Sequence, residues 1–264
     1  MILTSLVISF FISMICTLLL PIVLVVVLLA MRKISVVPLV AGALSFFISQ
    51  IVLRIPLLQL CATQQWFLSF AMNTLLYTII VGGFSAGLFE ETARLVGASL
   101  LKNNRRYQDM IAFGLGHGLC EVVLLVGLGQ INNILACCMI ASSDLASTLG
   151  VQQDVLQQLT AQLAGTGPAM VYLGIVERIS AVVFHLFATS LVFMAVKKKN
   201  ILLYFAAILA HTAFNTLAAV LLSMTGMWIC EGVLLLLAVP MAWFVHWQKD
   251  LPCYRESVAQ TSTI

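Results

Sequence analysis

Apolar residues run through this chain in long, nearly unbroken stretches, and polar residues are confined to short gaps between them. Residues 2–31 hold thirty positions without a charge. A helix needs roughly 20 apolar residues to cross a bilayer, and inside lipid only helices or closed barrels satisfy the backbone. The weak two-residue alternation of a membrane β-strand is absent. The pattern predicts an all-α, polytopic transmembrane helical bundle with seven crossings, over residues 3–31, 34–53, 66–101, 110–140, 168–196, 201–223 and 227–247. Residues 3–31 read as a membrane helix rather than a cleaved signal, because no Lys or Arg precedes the run and it exceeds the usual signal core. The stretch 66–101 is too long for a straight passage, and Gly82–Gly83 is the expected break within it. Between crossings four and five, Val151, Val155, Leu159 and Leu163 recur among glutamines and predict one external amphipathic helix near 151–163. The expectation is a helix resting on the outer membrane surface. Neither a repeat nor a linker suggests a second domain, so residues 1–264 read as a single membrane domain with a motif-bearing core over about 66–223.

Composition supports this reading. The chain is 62% hydrophobic and 9% charged, against about 25% charged in an ordinary soluble domain. A net charge of +3 is too small to imply a nucleic-acid partner. The seven cysteines are odd in number, lie mostly in apolar runs and include no CxxC pair, which excludes a disulfide framework. Where the positive charges fall carries more information than their sum. Arg32–Lys33, Lys102/Arg105/Arg106, Lys197–Lys198–Lys199 and the tail residues Lys249 and Arg255 follow alternate crossings. The other loops hold only Arg54. The positive-inside rule then places the N-terminus outside and the C-terminus in the cytoplasm.

A small set of residues breaks the apolar pattern, and such residues in a bilayer core are usually functional. They are Glu90, Glu91 and Arg94 in crossing three; His117 and Glu121 in crossing four; Glu177, Arg178 and His185 in crossing five; and His211 with Asn215 in crossing six. At 1.5 Å rise per residue, Glu90, Glu91, His117, His185 and His211 fall roughly 12–17 Å from the cytoplasmic helix ends, and Asn215 roughly 21 Å. Glu177 sits nearer the outside. His117 and Glu121, His211 and Asn215, and Glu90 and Arg94 are each four apart and share helix faces. Arg94 is expected to hold one glutamate and leave the other for chemistry. Gly114 and Gly118 flank His117 at GxxxG spacing, which admits a neighbouring helix closely. Glu231, beside Trp228, is expected to face headgroups, and His246 to lie at the inner interface.

A carboxylate, imidazoles and a carboxamide in a secluded cavity can hydrolyse an amide. The carboxylate takes a proton from water, and His and Asn donors stabilise the oxyanion. HExxH is absent. In this scheme no cofactor is expected, while a zinc site built from His117, His185 and His211 stays open as the metal-dependent variant.

The segments FEETARLVG, FGLGHGLCE, ERISAVVFH and HTAFN, in that order, resemble the YhfC family of intramembrane proteases, which is similar to the CAAX-protease and bacteriocin-processing superfamily. The resemblance implies a peptidase of the bacterial plasma membrane acting on a membrane-associated peptide or protein. It implies Glu90 as general base, His117 orienting the water, and His211 and Asn215 at the oxyanion. Arg94 falls one residue earlier than in the superfamily's EExxxR, which leaves open whether Glu90 or Glu91 is the base. Glu121, Glu177, Arg178 and His185 are read as supporting residues. The alternative class is a non-enzymatic protein, either a proton-coupled transporter or a bacteriocin-immunity protein. A transporter often carries inverted repeats, and none is visible here. For the orientation, a reporter fused to the C-terminus is expected to be active on the cytoplasmic side, and activity only outside the cell would contradict the charge argument.

Overall fold

A computed structural model of the chain describes residues 2–102 and 105–254. Arg255, one of the tail cations used for orientation, lies outside the described residues. The protein is all-α, with no strand among the described residues. The helices are α1 (Thr4–Ala30), α2 (Val36–Cys61), α3 (Gln65–Ala71), α4 (Thr74–Leu100) and α5 (Tyr107–Ala141); α6 (Ser143–Thr148) and α7 (Gln153–Ala164); and α8 (Pro168–Lys198), α9 (Ile201–Thr225) and α10 (Met227–Asp250). Among the described residues six of these are long and apolar enough to cross a membrane, or seven when the bent pair α3–α4 is counted as one span. Large apolar side chains such as Ile22, Val26, Leu60, Leu209 and Leu236 stand exposed, as lipid-facing residues do.

Three features differ from the sequence expectation. The break in the third crossing is a 105° bend between α3 and α4, not a kink at Gly82–Gly83. Asn73 causes it: its side-chain oxygen accepts from the Leu76 amide at 3.1 Å and caps a new helix. Phe67, Phe70 and Tyr77 cluster at the corner. The second crossing continues to Cys61, so Arg54 lies within the helix rather than in a loop. It is tolerated there because its guanidinium bonds Gln50 Oε1 at 2.9 Å, Ser85 Oγ at 3.0 Å and the Val81 carbonyl at 2.6 Å. Glu231 is buried, not turned to headgroups, because it shares a helix face with the buried Leu234 and Ala238.

The chain divides into two compact units. The first comprises residues 1–26 and 121–178. There Leu6 and Phe10 of α1 pack with Cys137 of α5 and Val171 of α8. The amphipathic α7 turns Leu156, Leu159 and Leu163 onto Ala136 and Met139 of α5 and Ala146 of α6. Val155 is exposed instead of Leu156, since a strict four-residue step drifts off a 3.6-residue turn.

The second unit comprises residues 27–120 and 179–264 and contains α2, α3, α4, α9 and α10 with parts of α1, α5 and α8. Its cores include Met110, Phe113, Val192, Phe193 and Ala207, and Phe184, Ala188, Phe214 and Leu234. Glycines set its closest helix approaches. A Cβ at Gly42 of α2 would run into the Phe113 carbonyl of α5, and one at Gly116 into the Leu39 carbonyl of α2. Gly83 and Gly87 of α4 lie against Thr212, Thr216 and Ile208 of α9, so Gly83 serves helix contact, while a Cβ at Gly82 would meet nothing within 4 Å. Gly114 and Gly118 of α5 lie against Leu186, Thr189 and His185 of α8, the approach that their spacing predicts. Gly42→Ala and Gly116→Ala are each expected to cost about 1–3 kcal/mol by overpacking. Gly232→Ala, with nothing within 4 Å of its added Cβ, is expected to cost nothing. Thermal unfolding in detergent checks this, and an unchanged midpoint for Gly42→Ala would contradict the close crossing.

Candidate metal centre

Four helices of the second unit deliver one buried cluster. Glu90, Glu91 and Arg94 come from α4, His117 from α5, His185 from α8 and His211 from α9, and all six side chains are buried. Arg94 bonds both glutamates: Nη1 donates to Glu91 Oε1, and Nη2 donates to Glu90 Oε2 at 3.3 Å. Nη2 also lies 2.6 Å from His185 Nδ1. A guanidinium has no acceptor, so that imidazole nitrogen accepts. The expectation of one held and one free glutamate is therefore replaced by an arginine shared between them.

The two glutamates have different surroundings. Glu90 Oε2 lies 2.9 Å from His117 Nε2 and 3.9 Å from His185 Nδ1, and Glu90 Oε1 lies 3.8 Å from His211 Nε2. Glu91 Oε1 lies 2.6 Å from His211 Nδ1. Glu91 Oε2 is buried without a hydrogen-bond partner among the described residues. Aromatic rings fix the imidazoles in place. Phe46 meets His117 edge-on at 5.3 Å, and Phe184 meets His211 edge-on at 5.0 Å while stacking on Phe214.

The donor set suits a divalent cation. One ligand atom each from Glu90, His117 and His185 falls within 4.8 Å of the others. One carboxylate with two imidazoles is a catalytic zinc set, with three protein ligands and an open position. His211 is turned to Glu91 instead. Arg94 competes with such a cation, since it holds His185 Nδ1 and Glu90 Oε2.

The remaining candidates lie elsewhere. Asn215 is half-buried, and its amide reaches the Gly82 carbonyl at 3.4 Å, with no hydrogen bond to the cluster among the described residues. Glu121, Glu177 and Arg178 belong to the first unit and pair with one another, Arg178 Nη1 donating to Glu121 Oε1 at 3.0 Å and Nη2 to Glu177 Oε1. His246 is exposed beside Lys249. Ser45 of α2 carries no mark in the sequence, being one hydroxyl in an apolar helix. Yet its Oγ lies 2.8 Å from His117 Nδ1. Ser45 also lines a cavity of about 640 Å³ whose other walls are almost wholly apolar, among them Leu44, Ile48, Leu88 and Val96.

A family model described as YhfC intramembrane metalloprotease matches residues 16–234. Over 149 residues the chain is 37% identical to the "Uncharacterized membrane protein YhfC" of Bacillus subtilis (strain 168). That match covers 55% of this chain and 57% of the relative, so it spans little more than half of that protein's length. No solved structure matches.

Proposed function

The chain belongs to the YhfC intramembrane metalloprotease family, and we propose that it hydrolyses a peptide bond of a membrane-associated substrate at a zinc centre held by Glu90, His117 and His185. The observation that carries this is the convergence of those three donors within 4.8 Å. Charge supports it: two carboxylates and one guanidinium meet at contact distance, so the cluster is short of positive charge. Zinc, when bound, polarises a carbonyl and makes water nucleophilic at neutral pH.

The chain's own residues supply the rest. Glu91 is the proposed general base. Among the described residues its Oε2 has no hydrogen-bond partner to release before accepting a proton from the attacking water, and it returns that proton to the leaving nitrogen. His211 Nδ1 and Arg94 hold Glu91 Oε1 and so aim the carboxylate. With His185 serving as a ligand, Arg94 would give up its bond to that imidazole and keep its bond to Glu91. Asn215, one turn beyond His211, is the proposed oxyanion donor, and its 3.4 Å bond to Gly82 is long enough to be given up cheaply. The apolar cavity beside Ser45 is the proposed seat for an apolar stretch of substrate. The proposed orientation has the N-terminus outside and the C-terminus in the cytoplasm.

Glu91→Gln is expected to lower hydrolysis of membrane-embedded peptides by about 10²–10⁴ while the purified protein keeps its zinc. Glu90→Gln is expected to lose the zinc and the activity together. A chelator should abolish hydrolysis, and zinc should restore it. Full activity in chelator-treated, zinc-free protein would return the mechanism to a glutamate acting without metal.

A further inference from the structure

We infer that Ser45 is a positioning residue which holds His117 in the tautomer with its proton on Nδ1, leaving the Nε2 lone pair directed at Glu90 for a metal. The inference rests on the zinc-centre reading above and assigns it a part outside the ligand set.

Among the described residues Ser45 Oγ has two hydrogen-bond partners, the Gly42 carbonyl at 2.7 Å and His117 Nδ1 at 2.8 Å. A hydroxyl carries one proton. The carbonyl can only accept, so a hydroxyl that donates to Gly42 must receive its second bond from Nδ1–H. Donation to the carbonyl three residues back is a common habit of helical serine. Ser9, Ser49 and Ser190 in this chain do the same with Leu6, Phe46 and Phe187. The proton on Nδ1 then leaves Nε2 facing Glu90 Oε2 at 2.9 Å. Two acceptors at that distance need a proton or a cation between them. A metal-bound histidine ordinarily donates its other ring N–H to a fixed acceptor, which sets its tautomer and orientation.

The fold builds this contact deliberately close. Ser45 is buried one turn along α2 from Gly42, whose bare backbone meets the Phe113 carbonyl, while Gly116 meets Leu39. His117 follows Gly116 directly. Two glycines on facing helices thus bring Oγ to Nδ1. Phe46, the neighbour of Ser45, meets the His117 ring edge-on at 5.3 Å, and the His185 ring lies 5.2 Å away. The ring is packed on both accounts, so the serine has only the proton's position left to decide.

The test compares wild type, Ser45→Ala and Ser45→Thr, purified in detergent, by zinc affinity in competition with a chromophoric chelator. Loss of an outer partner of this kind weakens metal binding about 10–100-fold. That loss is expected for Ser45→Ala with an unchanged thermal midpoint before zinc is added, and Ser45→Thr, which keeps the hydroxyl, is expected to restore the affinity. NMR of zinc-loaded wild type carrying nitrogen-labelled histidine reads the tautomer directly, even should Ser45→Ala fail to fold; the expected result is a proton on Nδ1 of His117. Equal zinc affinity in wild type and Ser45→Ala, or a His117 protonated on Nε2 in the loaded protein, would overturn the inference and leave the zinc centre standing. A wild type that binds no zinc would instead remove the zinc centre itself.

Discussion

Arg94 is bonded at once to Glu90, Glu91 and His185, and every one of these groups is buried among apolar helices. A charge in such surroundings is costly unless it is paired and hydrogen-bonded. The arginine is what allows two adjacent carboxylates to exist at that depth. It also links α4 to α8, because the imidazole it reaches belongs to another helix. Removing one partner from a buried set of this kind costs about 3–5 kcal/mol, since the others are left uncompensated. The pairing is incomplete, with two acids on one guanidinium, and the proposed zinc would make up that shortfall.

The remaining helices serve to hold these groups at contact distance. Close approach needs small residues, and glycines stand at each approach that matters. Gly87 of α4 lies against the Cβ of His211, Gly118 of α5 against His185, and Gly42 of α2 against the backbone of α5 just before His117. A packed interior does not deform continuously, so side-chain positions set this way are fixed. Preorganised donors are worth most where water is excluded. The same crossing that places His117 brings Ser45 to its far nitrogen. The imidazole is therefore constrained at both ends, by a hydroxyl on one side and a carboxylate on the other.

Much of this was legible in the sequence, because a bilayer makes polar residues conspicuous. Glu90, Glu91, Arg94, His117, His185 and His211 stand out from apolar runs, and helix rise alone puts them at a common depth. The crossings and the amphipathic α7 follow from hydrophobic period and length. What depends on the direction of a single side chain was not legible. His211 and His185 look alike in sequence, yet one turns to Glu91 and the other to Glu90 and Arg94. Ser45 is one of several serines in apolar helices, and only the α2–α5 crossing distinguishes it. The bend at Asn73 was hidden because a capping asparagine is a weaker signal than a glycine pair, and of that pair Gly83 serves helix contact instead. Glu231 near a tryptophan reads as interfacial until its helix face is seen to be the buried one.

The central claim is that Glu90, His117 and His185 are the protein ligands of one zinc ion. X-ray absorption at the zinc edge, on protein purified without chelator and reconstituted with stoichiometric zinc, tests it most directly. The account predicts a shell of nitrogen and oxygen only, with first-shell distances of about 2.0–2.2 Å and the outer-shell scattering of two imidazoles. That signature should fall to one imidazole in His185→Ala. Sulfur in the first shell, which would bring in the cysteines, or an imidazole count unchanged by His185→Ala would contradict it.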